Sequence, residues 1–373
     1  MNLVLTGRLD RLRADMQERG LSTLLVTEPK NIRYLCGFSG SSGWLLVAPE
    51  QHLVITDGRY WEQVARECPG AELFKFVALE HASLPGGLVE VLKQKALDKL
   101  GLETNGIALT NYRALTQALE KSEVAVQEVE GLVHALRECK DPQEIALMRR
   151  AAEIADQALG RALQEFQPGQ KEVELKALIE FHILGLGGSA AAFPTIVASG
   201  PNGSYPHAGA SDRVVERNEL ITIDFGAVYR GYCSDMTRTI WYGRLSDRHR
   251  EVLGATRQAQ RLALEGVRAG VATSSLDKIA RDCLERAGLA QYFLHSLGHG
   301  VGLDVHEAPS LRLTSDDILK VGQVVTIEPG VYIQGETGCR VEDTVVVTEG
   351  RPDVLNRYPK QALDADTPPG LEP

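Results

Sequence analysis

The sequence predicts an α+β chain, on three observations. Its 373 residues suffice for two ordinary domains whose cores need no staples. The first third alternates short apolar strands with amphipathic helices. From Asp141 the texture changes to long helices, then strands, with a second helix pair among them.

Taken in order, Gly7 to Gly20 reads as a charged amphipathic helix closed by glycine. Ser22–Thr27 reads as a buried strand, and Trp44–Ala48 and His52–Thr56 as two more around Pro49-Glu50-Gln51. Arg59 to Cys68 reads as a helix stopped by Pro69-Gly70. Leu100–Leu109 and a helical stretch after Asn111 continue the alternation. Asp141-Pro142-Gln143-Glu144 is a helix start, with Asp as N-cap, Pro at the first helical position and Glu at the third. That helix runs to about Gln164 and breaks at Pro168-Gly169; a second spans Lys171 to about Leu186. Leu220–Tyr229, Met236–Tyr242, Val324–Ile327 and Val341–Val347 read as strands, with helices near Asp247–Ala269 and Ser274–Ala287 among them. No internal repeat is visible. The expected division is 1–132, 133–363 and a Pro-rich tail, 364–373.

Composition excludes several classes. Charged residues make up 24% and hydrophobic residues 43%, a globular balance. Forty basic against 50 acidic residues give a net charge of −10, which argues against nucleic-acid binding. The N-terminus reaches charge at Arg8 and is not read as a signal peptide, and no apolar run is long enough to span a membrane. Six scattered cysteines without C-x-x-C make a disulfide framework or zinc ribbon an unsuitable reading and favour a reduced cytoplasm.

The chemistry sits in the C-terminal half. Asp224, Asp235, Glu328 and Glu342 each lie in or beside an apolar, Gly-punctuated, strand-like segment, as does His299. Buried carboxylates are costly unless a cation neutralises them, so the set asks for metal, most simply two divalent ions. Asp224 follows Ile221-Thr-Ile and precedes Phe225-Gly226, where glycine leaves room beside the backbone. Asp235 comes eleven positions later, and a hairpin would set the two side by side. His299 and His306 stand seven apart around the glycine-rich Gly298–Leu303 loop. Glu328 ends an apolar strand at Pro329-Gly330. Arg340 and Glu342 are two apart on one expected strand and should face the same side. Taken singly, each of these also reads as a capped, hydrogen-bonded or solvent-paired side chain.

Together these motifs, in this order, resemble the metal-dependent pita-bread peptidases. Asn31-Ile-Arg-Tyr-Leu-Cys-Gly-Phe-Ser-Gly40 is similar to the creatinase-like N-terminal domain of the proline-specific branch, Xaa-Pro dipeptidase (prolidase) and Xaa-Pro aminopeptidase (aminopeptidase P). Ser199-Gly-Pro-Asn-Gly-Ser-Tyr-Pro-His207 resembles that branch's first catalytic-histidine segment. The resemblance covers nearly the whole chain. It implies an α+β architecture with a creatinase-like N-terminal domain and a pita-bread catalytic domain. It implies that Asp224 chelates one ion, that Asp235 and Glu342 bridge two, and that His299 and Glu328 hold the second. It further implies water activated between the ions as nucleophile, Glu328 as proton shuttle, His207 and His306 on the scissile carbonyl, and Arg340 as a buttress. Two divalent ions are expected, with Mn²⁺ preferred and Co²⁺, Zn²⁺ or Fe²⁺ as alternatives. The expected substrate is a proline-containing peptide, and the expected assembly is a homodimer.

Substrate length stays open between dipeptidase and aminopeptidase, with a lean to dipeptidase from the short chain and the fourteen positions between Glu328 and Glu342. A hydrolase of another C–N bond on the same fold is the weaker alternative. Gly185-Leu-Gly187-Gly-Ser-Ala190 fits a dinucleotide fingerprint by letter but follows a helix, which is the wrong context. Gly37–Gly43 is read as a mobile loop, His295 as a packing residue, and Cys233 and Cys339 as buried packing beside ligands.

Overall fold

A computed structural model describes residues 5, 7–81, 83–120, 122 and 124–360; the expected tail at 364–373 lies outside them. The chain divides into two compact units, Met1–Arg137 and Glu138–Pro373.

The first unit is built on a six-stranded mixed sheet. Its strand order is Glu72–Phe76, His52–Asp57, Trp44–Val47, Leu24–Val26, Lys99–Glu103 and Ala125–Val129. Central strands such as Leu24–Val26 and Trp44–Val47 are buried along their whole length, as their unbroken apolar runs require. Four helices escape the sequence reading: Pro29–Cys36, Ala78–His81, Leu84–Gln94 and Leu132–Glu138. Pro29–Cys36 carries the creatinase-like motif, with Pro in its first turn and Gly37 in the left-handed conformation at its end. Leu84–Gln94 carries Pro85-Gly86-Gly87 in its first turn, behind a Ser83 cap. Asn31 of the motif is fully buried and donates to Glu103 at 3.0 Å while accepting from Arg137 at 2.7 Å. Its work is structural. Within the Gly37–Gly43 segment, Ser39 donates its amide and hydroxyl to Glu67, and Ser41 bonds the Tyr60 hydroxyl.

The second unit opens with the helix Pro142–Glu165, whose Asp141–Glu144 capping box is fully formed. That helix and Glu172–Gly185 pack on an antiparallel three-stranded sheet of Ile196–Ser199, Ile221–Phe225 and Met236–Ile240. A second helix pair, Asp247–Gly266 and Thr273–Arg286, packs on a five-stranded antiparallel sheet. Its order is Glu307–Leu311, Gly298–Gly300, Val324–Ile327, Asp343–Val346 and Asp353–Val354. A hairpin of Gly330–Ile333 and Thr337–Arg340 completes the unit's main strands. The two helix-on-sheet layers each own a hydrophobic core, and the polar candidates lie on strands and links of both.

Three local expectations change. The Leu220–Tyr229 strand is interrupted at Gly226, where a Cβ would lie 1.8 Å from the Ser234 carbonyl oxygen. Gly226 therefore serves a close backbone crossing, not a ligand. The single strand expected through Arg340 and Glu342 is two: one ends at Arg340, the next begins at Asp343, and Val341-Glu342 is the bend. Gly185 ends a helix without a preceding strand, so the dinucleotide pattern has no support.

Candidate metal centre

The pairing of Ile221–Phe225 with Met236–Ile240 sets Asp224 directly opposite Thr237. Asp235 lies immediately before Met236, so both aspartates reach one place from neighbouring strands. The strand Gly298–Gly300 pairs with Val324–Ile327, which brings His299 near Glu328 at that strand's end. The Val341-Glu342 bend delivers Glu342: its amide bonds the Thr237 carbonyl, and its own carbonyl accepts from Arg238.

The geometry is tight. Ligand-type atoms of Asp235, His299 and Glu342 lie within 4.8 Å of one another. His299 Nε2 is 3.2 Å from Glu328 Oε1 and 3.7 Å from Asp235 Oδ2. Asp235, Glu342 and Arg340 are almost fully buried. The Arg340 guanidinium contacts Asp224 Oδ2, donates to the Tyr332 hydroxyl at 2.6 Å and holds the Pro206 carbonyl at 3.1 Å. Pro206 adjoins His207, so Arg340 also fixes the loop that carries that imidazole. His207 and His306 are themselves exposed, and the His306 ring stands edge-on to His299 with centroids 4.3 Å apart.

Burial pushes the Asp235 carboxyl well above the usual carboxylate range, reinforced by the charges of Glu342, Asp224 and Glu328. Burial does the same to Glu342, followed by the charges of Glu328 and Asp224. Burial raises Asp224 too, although Arg340 opposes it. Glu328 is the exception: burial opposes its charge, but the His299 hydrogen bond and charge bring it down to about 2. His299 is raised in return, since Glu328 overcomes the effect of burial. Burial and the His299 charge pull His306 down. This pattern is that of a cluster holding more negative charge than its own cations balance.

Two oxygens test whether the cluster fits metal. Asp224 Oδ1 and Glu342 Oε1 are buried and have no hydrogen-bond partner. Their sister oxygens are occupied, Asp224 Oδ2 by Arg340 and Glu342 Oε2 by the Thr237 hydroxyl at 2.7 Å. Buried polar atoms are rarely left unpaired. Unpaired carboxylate oxygens beside an imidazole are a donor set for a divalent cation.

Sequence reasoning missed the side chains that hold these donors. The Thr326 hydroxyl donates to Glu328 Oε1 and accepts from the His299 amide, both at 3.0 Å. Thr237 accepts from Arg340 Nε at 3.0 Å while donating to Glu342. Both threonines stand two residues from a candidate ligand, a same-face signal the alternation of a strand carries. His295 does more than pack: its Nε2 meets the Tyr332 hydroxyl at 2.9 Å, extending the Arg340 chain. Glu172, fully buried, accepts from Ser199, Asn202 and Ser211 and so shapes the loop that presents His207. Cys233 and Cys339 are buried and form no disulfide.

Two helix-on-sheet layers around a carboxylate–imidazole cluster define a metallohydrolase class of protein. Residues 146–349 match the metallopeptidase family M24 and residues 8–139 match the creatinase/prolidase N-terminal domain. The chain is 34% identical to a Xaa-Pro dipeptidase of Pyrococcus furiosus, over 95% of this chain and 99% of that one. It resembles the solved structure of a Xaa-Pro dipeptidase from Bacillus anthracis at TM-score 0.91 and 35% identity, covering 96% of this chain and 99% of that one. It also resembles that of an X-Pro aminopeptidase from Thermotoga maritima at TM-score 0.86 and 34% identity, covering 93% and 99%. The chain belongs to metallopeptidase family M24. The expected α+β architecture, a creatinase-like N-terminal domain and a pita-bread catalytic domain, holds. The family implies divalent metal ions and a peptide substrate. Among the described residues, no helix is long and apolar enough to cross a membrane.

Proposed function

We propose that this protein is a dinuclear metal-dependent exopeptidase that cleaves the Xaa-Pro bond of dipeptides. The observation that carries the reading is the pair of buried, unpartnered oxygens, Asp224 Oδ1 and Glu342 Oε1, in a five-residue cluster with Asp235, His299 and Glu328. Asp224 would hold one ion, Asp235 and Glu342 both, and His299 and Glu328 the second. When bound, the ions supply Lewis acidity and a water activated at neutral pH. Glu328, kept ionised beside His299, takes the proton of the attacking water and hands it to the proline nitrogen as the C–N bond breaks. His306, whose basicity is lowered, presents a neutral imidazole to the developing oxyanion, and His207 closes on the same oxygen. Arg340 fixes the position of Asp224 and, through Thr237, of Glu342.

The proline preference follows the named relatives and has a chemical reason. The Xaa-Pro amide has no N–H and a fixed φ, which penalises peptidases that need either. The reading divides the chain into 1–132 and 133–363. Mn²⁺ is the preferred metal because the donor set is rich in carboxylates. A homodimer and a cytoplasmic setting complete the reading, the latter supported by six cysteines that form no disulfide. The test assays Ala-Pro against Ala-Pro-Ala with Mn²⁺. Cleavage of the dipeptide alone is expected; cleavage of the tripeptide gives the aminopeptidase, and cleavage of neither overturns the proline-specific reading.

A further inference from the structure

The carbonyl-binding role proposed for His306 raises a question of placement, since its ring is exposed and its loop is rich in glycine. One residue behind it, Glu307 turns the other way. Its Oε2 lies 2.9 Å from Lys140 Nζ, and the two side chains are only 7% and 1% exposed. Its Oε1 accepts the Asp304 amide at 3.0 Å, closing the 304–307 turn on itself. A Cβ on Gly302 would sit 2.6 Å from Glu307 Oε2, so the loop wraps directly over this carboxylate.

Lys140 is anchored at its other end. Its amide bonds the Gly322 carbonyl at 2.8 Å, and Cys139 bridges Gln323. Those residues lead straight into Val324–Ile327, the strand that ends at Glu328. The helix beginning at Pro142 then locks the segment through its Asp141 cap. Lys140 is therefore a strut. Its backbone is fixed to the strand bearing Glu328, and its ammonium is fixed to the turn bearing His306.

A buried ion pair is a poor device for stability, because desolvation offsets most of the attraction, and an apolar pair of similar volume serves as well. It is a good device for setting a distance. We propose that Lys140 and Glu307 are positioning residues, an ion-paired latch that holds the His306 imidazole in register with Glu328. The inference rests on the role proposed for His306, and its failure can be told apart from the failure of that role.

The test compares the metal-loaded wild type with Lys140→Met, the apolar pair Lys140→Met/Glu307→Leu, His306→Ala, and His306→Ala combined with Lys140→Met. The apolar pair leaves no unpaired charge, so it folds even where Lys140→Met alone does not. It should lose about tenfold or more in kcat with KM unchanged, the scale for a misplaced reacting group. Hydrogen exchange at 302–306 should rise in the folded variant. In the His306→Ala background, Lys140→Met should cost little further kcat, because both changes remove the same contribution. Lys140→Arg should restore kcat in part. Wild-type kcat and exchange in the apolar pair overturn the latch, as does an additive loss in the double variant. An unchanged kcat in His306→Ala alone overturns the role of His306.

Discussion

The hydroxyl of Thr237 is a single atom on which two charged groups depend. It donates to Glu342 Oε2 at 2.7 Å and accepts from Arg340 Nε at 3.0 Å, in a region closed to solvent. Thr237→Val keeps the shape and removes both bonds. Hydrogen bonds to charged groups contribute about 1.5–3 kcal/mol each. Losing two, with a guanidinium N–H and a carboxylate oxygen left unpaired, should cost about 3–6 kcal/mol. For a unit of this size, each kcal/mol lowers the melting temperature by about 2–4 °C, so a fall of at least about 6 °C is expected.

The second consequence falls on metal. Glu342 Oε1 is free because Oε2 is held, and releasing Oε2 lets the carboxylate rotate. Partners that orient a ligand in this way typically account for about 10–100-fold in metal affinity. Scanning calorimetry of the metal-loaded protein and chelator competition for the metal measure the two effects separately. Thr237→Ser, which keeps the hydroxyl, should restore most of both. An unchanged melting temperature together with unchanged metal affinity in Thr237→Val would refute the orienting role.

Replacing His306 by Ala should lower kcat by roughly 10²-fold or more, the scale for losing an oxyanion donor; steady-state kinetics on Ala-Pro check it, and an unchanged kcat removes the role. Chelation should lower the melting temperature, because it returns four crowded carboxylates to mutual repulsion, and a calorimetric trace indifferent to chelator contradicts this. Asp156 accepts the amides of Arg357 and Tyr358, and burial raises its carboxyl from 3.8 to about 6. A folded pKa above the unfolded one means that its stabilising contribution is complete below pH ~4 and is lost as pH rises through about 6. The gap corresponds to about 3 kcal/mol. The wild type's advantage in melting temperature over Asp156→Asn should therefore shrink between pH 4 and pH 7; an advantage that widens defeats the assignment.

Much of this was legible in the sequence because its signals are local. The Asp141–Glu144 capping box is four consecutive residues, and it forms as written. Asp224, Asp235, His299, Glu328 and Glu342 announced themselves because a charge inside an apolar strand is costly wherever the chain later folds. The helix at Leu84–Gln94 was missed for a local reason too: Pro85-Gly86-Gly87 in its first turn looks like a breaker until the Ser83 cap is seen. What the sequence conceals is long-range. Thr237 meets Glu342 across 105 residues, Arg340 meets Asp224 across 116, and Lys140 meets Glu307 across 167.

Threonine is the residue type that hides this best. It is β-branched and common in strands for reasons of packing alone, so Thr237, Thr326 and Thr344 look like ordinary strand residues. In the fold each hydroxyl fastens a piece of the cluster: Thr237 to Glu342, Thr326 to Glu328, and Thr344 to the carbonyl of Asp235 at 2.8 Å. Neutral hydroxyls can do this where lysines or further arginines cannot. They orient a carboxylate without neutralising it, so its negative charge remains for a cation. The Arg340 guanidinium occupies only Oδ2 of Asp224, leaving Oδ1 without a hydrogen-bond partner. The three threonine hydroxyls thus position parts of the site without adding charge to it.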